Sequence, residues 1–333
     1  DSESFQVRSA DESVALRERG VRAYLDIDAM LDAALRTGAD AVHPGYGFLA
    51  ENAEFACRAE ERGLRFVGPQ ADVLALLGDK IAAKALARSL NVPVLDGTSV
   101  ATDLDGARAF FDALPQGASM LIKAIAGGGG RGMRVVHVAK DIADAWQRCR
   151  SEAQAAFGDP GVYVEHFLPK ARHIEVQVLG DGTGACVHFG ERECTLQRRH
   201  QKVVEIAPSP SLTAAERDKL TSRALRLAEA VNYRSLGTFE FLMAEDASDE
   251  ENLFFIEANP RIQVEHTVTE EIAGRDLVAL QLEVAAGCTL AELGLGECKG
   301  PTTNGYAIQL RVNMERMDAS GDTVPTGGII GCY

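Results

Sequence analysis

No apolar run in these 333 residues approaches the ~18–20 needed to cross a bilayer as a helix, and no charged-then-apolar leader opens the sequence. The expected setting is cytoplasmic, or the mitochondrial matrix in a eukaryote, with no membrane as partner. Cysteine pairs are lacking too. The seven cysteines are odd in number, scattered and without CxxC spacing, which argues against a disulfide framework and a zinc ribbon. Most read as small buried apolar residues; Cys194 stands among polar neighbours. There is no surplus of basic residues. A net charge of −15 excludes a generic nucleic-acid binder. An anionic ligand would need a local basic island, and Gln197-Arg198-Arg199-His200-Gln201-Lys202 fits that need. We find no internal repeat and no low-complexity tract. Asp1 at one end and Tyr333 at the other, shortly after Gly327-Gly328, read as cut ends.

An apolar fraction of 46% is ordinary for a globular protein, and the length allows two or three layered subdomains. Residues 1–78 alternate helical and short apolar segments. Ala29 to Arg36 and Glu51 to Arg62 are helical in pattern, while Ala39 to His43 and Leu64 to Val67 are strands, which implies a parallel sheet. A helix from Asp79 to Ser89 starts on an Asp cap and spaces Lys80, Lys84 and Arg88 by four. Strands are expected at Met120 to Ala126, Met133 to Val138, Val162 to Phe167, His173 to Leu179 and Ala185 to Glu191. Thr213 and Glu216 form a capping box ahead of the stripe Leu220, Ala224, Leu227 and Val231.

Three patterns carry chemistry. The first is the turn Gly127 to Gly130 with Arg131-Gly132, set between two strands. Consecutive glycines let backbone N–H groups approach an anion. A strand follows, where a Walker or dinucleotide loop would lead into a helix. The turn therefore reads as a hairpin flap over phosphates, with Lys123 supplying charge; a plain flexible loop is the alternative. The second pattern is Glu240 in one strand and Glu257 in the next. They pair directly if the hairpin is centred between Ser248 and Asp249, placing two Cβ atoms about 5 Å apart on one face. Mg²⁺ between them would relieve the repulsion; the alternative is that one points to solvent. The third is the run in which Glu257, Asn259, Arg261, Gln263 and Glu265 alternate with apolar residues and Pro260. If it stays extended, the five share one wall. Glu257 and Asn259 offer oxygen ligands, Arg261 and Gln263 suit a small planar oxyanion, and Glu265 is a candidate base.

Together with His43-Pro44-Gly45-Tyr46-Gly47-Phe48-Leu49-Ala50-Glu51-Asn52, Gly78-Asp79-Lys80, His173 to Val178, and Gln197 to Glu205, these segments resemble the biotin carboxylases of the ATP-grasp superfamily nearly end to end. The resemblance implies an α/β ATP-grasp fold, with a truncated N-terminal Rossmann-like lobe (1–78), a linker and start of the grasp (79–120), a flap subdomain (121–184) and an incomplete C-terminal lobe (185–333). It implies ATP contacts from Lys80, Lys123, His173, Gln197 and His200, phosphate cover from Gly129 and Gly130, and adenine contacts from Glu165, His166, Phe167 and Leu168. Mg²⁺ or Mn²⁺ would sit on Glu240, Glu257 and Asn259. Bicarbonate would lie against Lys202, Arg261, Gln263 and the Val264 backbone, with Glu265 as its base and Arg311 stabilising enolate-like biotin. There is no Met-Lys-Met attachment motif, so biotin must arrive on a carrier domain, with a carboxyltransferase domain as the further partner and a homo-oligomer expected. Thr267 resembles pyruvate carboxylases and some multidomain acyl-CoA carboxylases, while Gln309 to Glu315 and Thr326 to Gly328 look nearer to long single-chain acyl-CoA carboxylases, with pyruvate carboxylase as the alternative. Another ATP-grasp ligase, such as a carbamoyl-phosphate synthetase half, and a nucleotide-binding module without turnover are the competing readings.

Overall fold

The computed structural model describes residues 4–126, 132–198, 201–245, 251–296, 304–319 and 323–327. Gly129, Gly130, Arg131 and His200 lie outside them.

The N-terminal part behaves as its alternating pattern predicts. The strands β1 (Ala41–Val42) and β2 (Arg65–Phe66) pair in parallel, and the helices Ile27–Arg36 and Ala53–Glu61 pack with them around Leu31, Phe55, Leu64 and Phe66. Both helices begin on a side-chain cap: Asp26 accepts from Ala29 N and Asn52 from Phe55 N. The helix Lys80–Ser89 starts on Asp79, whose carboxylate accepts from Ile81 N and Ala82 N. That cap orients the first turn so that Lys80 and Lys84 both face inward and are buried.

Two sheets follow. The first has β3 (Ser119–Ala124) in the middle, flanked by β4 (Met133–Val136) and β5 (Val162–Phe167), all antiparallel. The helices Leu104–Ala113 and Ile142–Phe157 cover one face of it, over Met120, Ile122, Val136 and Val164. The chain then enters β6 (Ala171–Asp181), β7 (Cys186–Glu193), the short ribbon β8 (Gln197–Arg198) and β9 (Gln201–Lys202), β10 (Val204–Ala207), β11 (Arg234–Ala244), β12 (Leu253–Asn259) and β13 (Ala307–Leu310). Six of these form one sheet in the order β12-β11-β6-β7-β10-β13. β6 pairs with β11 along its full length, from Arg234↔Asp181 to Ala244↔Ala171, so it belongs with the large sheet. The helix Ala214–Ala230 packs on that sheet through Leu220, Ala224 and Leu227 against Ile174, Val176 and Phe239. Its start is the expected capping box of Thr213 and Glu216.

The hairpin arithmetic holds at one end of β11 and β12. Glu240 faces Glu257, and Thr238 faces Asn259. A shift between Glu240 and Phe241 then pairs Phe241 with Phe255, which leaves Ile256 as an extra residue. The extended-wall expectation fails beyond Asn259. β12 ends there, the Arg261 N–H turns back onto Asn259 O at 2.8 Å, and the His266 N–H donates to Gln263 O before the helix His266–Ala273. Pro260 has no N–H to continue a ladder, so the chain curls instead of extending.

Candidate active site

The two sheets face each other across a cleft of about 690 Å³. Every residue that sequence reading assigned to the site, and that the structure describes, lines it. The first sheet and the residue after it supply Lys123, Glu165, His166, Phe167 and Leu168, and the helix Lys80–Ser89 supplies Lys80. The large sheet and the loops at its end supply His173, Gln197, Lys202, Glu240, Glu257, Asn259, Arg261, Gln263, Val264, Glu265 and Arg311. Leu95, Leu121, Leu242 and Ile256 make apolar walls between the polar groups. Because of the extra residue in β12, Ile256 and Glu257 both reach the cavity although they are neighbours in sequence. The curled segment Arg261 to Glu265 converges on the cleft by turning, not by strand parity.

Glu165 is fully buried on β5, and its carboxylate is shared by two ammonium groups. Lys84 binds Oε2, and Lys123 Nζ lies 3.2 Å from Oε1. Burial raises the Glu165 carboxyl, but the two lysines outweigh it and hold it below the usual range. Burial, with the charge of Lys123, pulls Lys84 below its usual value despite the attraction of Glu165. Two lysines thus share one carboxylate at this corner of the cleft. The Glu165 carboxylate is therefore engaged with lysines, and residues 165–168 all line the cleft.

Lys202 is the hub of the opposite wall. It binds Glu175, and its Nζ donates to Glu240 Oε1 at 3.0 Å and to Glu265 Oε1 at 2.8 Å. Glu240 also accepts from Asn259 Nδ2 at 2.8 Å and Gln263 Nε2 at 3.2 Å, and His173 Nε2 lies 2.6 Å from its second oxygen. The repulsion expected between Glu240 and Glu257 is thus answered by side chains: Lys202 and His173 on Glu240, and Lys80 at 3.7 Å from Glu257. Burial raises Glu240, yet Lys202 and His173 take it well below the usual carboxylate range. The basic island is likewise already neutralised in part, since Arg198 pairs with Glu315 and Lys202 with three carboxylates.

Glu265 is held between two cations, Lys202 and Arg311, whose Nη2 donates to Oε2 at 2.7 Å. Burial raises its carboxyl, but Lys202, Arg192 and Arg311 keep it below the usual range. It is ionised at neutral pH and able to accept a proton. Arg261 binds Glu51 through Nε and Asn259 Oδ1 through Nη2 at 3.1 Å, which ties this arginine to the N-terminal part. Behind the wall, the wholly buried Arg192 donates to Glu175 Oε1 (2.6 Å), Gln177, Thr269, Thr238 and Gln263 Oε1 (3.1 Å). It fixes Gln263 and Glu175 from the rear.

Sequence reading missed Lys84, Glu175 and Arg192. The helical spacing of Lys80 and Lys84 was a usable signal for the first. The run Glu191-Arg192-Glu193 in an otherwise apolar strand was one for Arg192, because a buried β-strand carries such charges only when they are paired.

A small antiparallel sheet facing a larger one across a cleft, with Lys123 on the first and Glu240 and Glu257 on the second, is the arrangement of an ATP-grasp ligase. The family described as "Carbamoyl-phosphate synthase L chain, ATP binding domain" matches residues 79–293, and "Biotin carboxylase, N-terminal domain" matches residues 1–74. Pyruvate carboxylase of Aspergillus terreus is 48% identical over 336 residues, covering 99% of this chain and 27% of the relative. That of Bacillus subtilis is 46% identical over 338 residues, 100% of this chain and 29% of the relative. The biotin carboxylase domain of 2-oxoglutarate carboxylase from Hydrogenobacter thermophilus, solved with MgADP, ADP and bicarbonate, superimposes with a TM-score of 0.88 at 40% identity, covering 94% of this chain and 67% of that one. Biotin carboxylase from Campylobacter jejuni gives 0.87 at 37%, covering 96% and 70%. The chain belongs to the biotin carboxylases, the ATP-dependent ligase family of biotin-dependent carboxylases. It spans 27–29% of the length of these pyruvate carboxylases.

Proposed function

We propose that this chain carries out the ATP- and bicarbonate-dependent carboxylation of biotin on a carrier domain, the first half-reaction of a biotin-dependent carboxylase. The observation that carries this reading is Glu265, an ionised carboxylate at the cavity wall between Lys202 and Arg311 and beside Gln263. A base pre-set in this way suits bicarbonate, which must lose a proton to become a nucleophile.

The reaction follows from the side chains. Lys202, Arg261, Gln263 and the Val264 backbone hold bicarbonate, and Glu265 takes its proton. Lys123, with Lys80, His173 and Gln197, receives the phosphates of ATP, while the apolar walls and residues 165–168 take the base. Attack of bicarbonate on the γ-phosphorus gives carboxyphosphate and ADP. Carboxyphosphate breaks down to CO₂ and phosphate, the phosphate takes the N1 proton of biotin, and N1 captures CO₂ while Arg311 faces the enolate oxygen. Glu240, Glu257 and Asn259 form a hard-oxygen donor set suited to Mg²⁺ or Mn²⁺, which would neutralise phosphate charge. The fit is supported by the charge of the lining: five cations (Lys80, Lys123, Lys202, Arg261, Arg311) against four carboxylates (Glu165, Glu240, Glu257, Glu265) leave too little for a triphosphate. Gly129, Gly130 and His200 complete the proposed nucleotide contacts.

We keep the division at residues 78 and 120 and place the end of the flap near residue 170, where β6 joins the large sheet. The carrier, the carboxyltransferase and a second copy of the chain are the partners this reading requires, in the cytoplasm or mitochondrial matrix. No helix among the described residues is long and apolar enough to cross a membrane. The acceptor is chosen outside this chain. Gln309 to Glu315 favour an acyl-CoA, whereas the pyruvate carboxylase relatives favour pyruvate. The protein that carries this chain, at its natural length, should hydrolyse ATP in a bicarbonate-dependent manner, faster with free biotin. Glu265→Gln should lower that rate by about 10²–10⁴-fold with nucleotide affinity kept. No biotin stimulation in the unmodified protein rejects the reading, ammonia dependence would favour the carbamoyl-phosphate synthetase alternative, and carboxylation of added pyruvate or acyl-CoA identifies the acceptor.

A further inference from the structure

The chain of charges does not stop at Glu265. Arg311 is held from two sides, with Nη2 on Glu265 Oε2 at 2.7 Å and Nε 2.6 Å from Glu205 Oε1. Glu205 lies on β10 opposite Gln309 of β13 and is wholly buried. Neither of its oxygens receives an aligned hydrogen bond, and the facing Arg311 Nε is unaligned as well. Their contact is therefore one of charge. Burial raises the Glu205 carboxyl, and Arg311 opposes that. A carboxylate placed for packing alone would be better replaced by an apolar or amide side chain, so its placement speaks for the arginine it faces. Arg311 itself follows the last residue of an edge strand. Its neighbours Leu310 and Val312 are 64% and 76% exposed, and the backbone is held there by the Arg311 N–H on Val203 O at 3.0 Å. Little besides the two carboxylates fixes its side chain.

Resting on the carboxylation reading, we propose that Glu205 is a positioning residue that keeps Arg311 at the site when Glu265 takes up the proton of bicarbonate. Before the transfer, two carboxylates hold the guanidinium. The proton passes from the bicarbonate oxygen to Glu265 and cancels that charge, so the hold on Nη2 weakens. Glu205, which takes no part in that transfer, keeps its contact with Nε. Arg311 then remains in place with Nη2 free for the oxygen that becomes negative as biotin loses its N1 proton. Glu205 thereby links the two steps without touching either substrate.

The test uses Glu205→Gln and Glu205→Asp in the protein at its natural length, with free biotin. In Glu205→Gln, bicarbonate-dependent ATP cleavage without biotin should stay within about twofold, while kcat for biotin carboxylation falls about tenfold or more and the KM for ATP is unchanged. Glu205→Asp, which keeps the charge one methylene short, should recover part of the loss. Glu205→Gln combined with Arg311→Gln should be no worse than Arg311→Gln alone. Equal loss in both reactions, no loss in either, or independent effects in the double variant would overturn the proposal. If Glu205→Gln does not fold, Glu205→Asp decides alone, and it must lose biotin carboxylation selectively. Failure of the unmodified protein to respond to biotin would instead sink the carboxylation reading itself, and this proposal with it.

Discussion

Glu165 shows how much a single side chain can be asked to do. It sits between Lys84 and Lys123, all three buried, and it is the one carboxylate in contact with either lysine among the described residues. Removing one member of a buried pair leaves an uncompensated charge, which costs about 3–5 kcal/mol. Glu165→Gln should therefore lower stability by that order in urea unfolding, and a loss under about 1 kcal/mol would mean that water already compensates the lysines. Lys123 was legible from its place before the glycine turn. Lys84 was legible only as one face of a helix. That this face turns inward depends on how Lys80–Ser89 packs against β12, a long-range fact that no local pattern encodes.

Elements were readable where their signals are local. Asp79, Thr213 and Glu216 announce helix starts by hydrogen bonds formed within four residues, and the helices begin there. Thr213→Ala should cost about 0.5–2 kcal/mol of stability, read as a lower denaturant midpoint with an unchanged slope. Glu216 is already held below its usual pKa by the Thr213 backbone N–H and hydroxyl, so both halves of the box are formed. Strand parity was a weaker guide. It correctly opposed Glu240 to Glu257, because both lie on the site side of the shift in β12. It failed after Pro260, where the lack of a donor turned the chain. The residues still met, since a turn can converge side chains that a strand would merely align.

The whole molecule is acidic, yet its cleft is lined by lysines and arginines whose partners are buried glutamates. Glu165, Glu240 and Glu265 all have carboxyls held below the usual range: burial raises each, and the neighbouring cations outweigh it. A group whose folded pKa is depressed stabilises the protein above the unfolded value, and that contribution is lost as pH falls through the folded one. Glu205, raised by burial, acts with the opposite sign. Because the lowered carboxyls, with Glu216 and Glu193 among them, outnumber Glu205, stability should hold near neutrality and decline below about pH 4. A series of urea midpoints from neutral to acid pH checks this, and a rise on acidification would contradict it. The composition could exclude a nucleic-acid surface but not anticipate a cleft neutralised by its own residues. That balance arises only when β5, β6, β9, β11 and the loop to Glu265 come together.

The extra residue in β12 has a consequence for how this hairpin can change length. It separates two frames of pairing, one running through Glu240 and Glu257 and the other through Phe241 and Phe255. The described end of the second frame is Met243 opposite Leu253, closed by the Ala244 N–H on Asn252 O at 2.9 Å. Losing Ile256 would merge the frames and put Phe255 directly before Glu257. One added residue thus lets a single hairpin serve two alignments, carboxylates towards the cleft and aromatic rings towards the core.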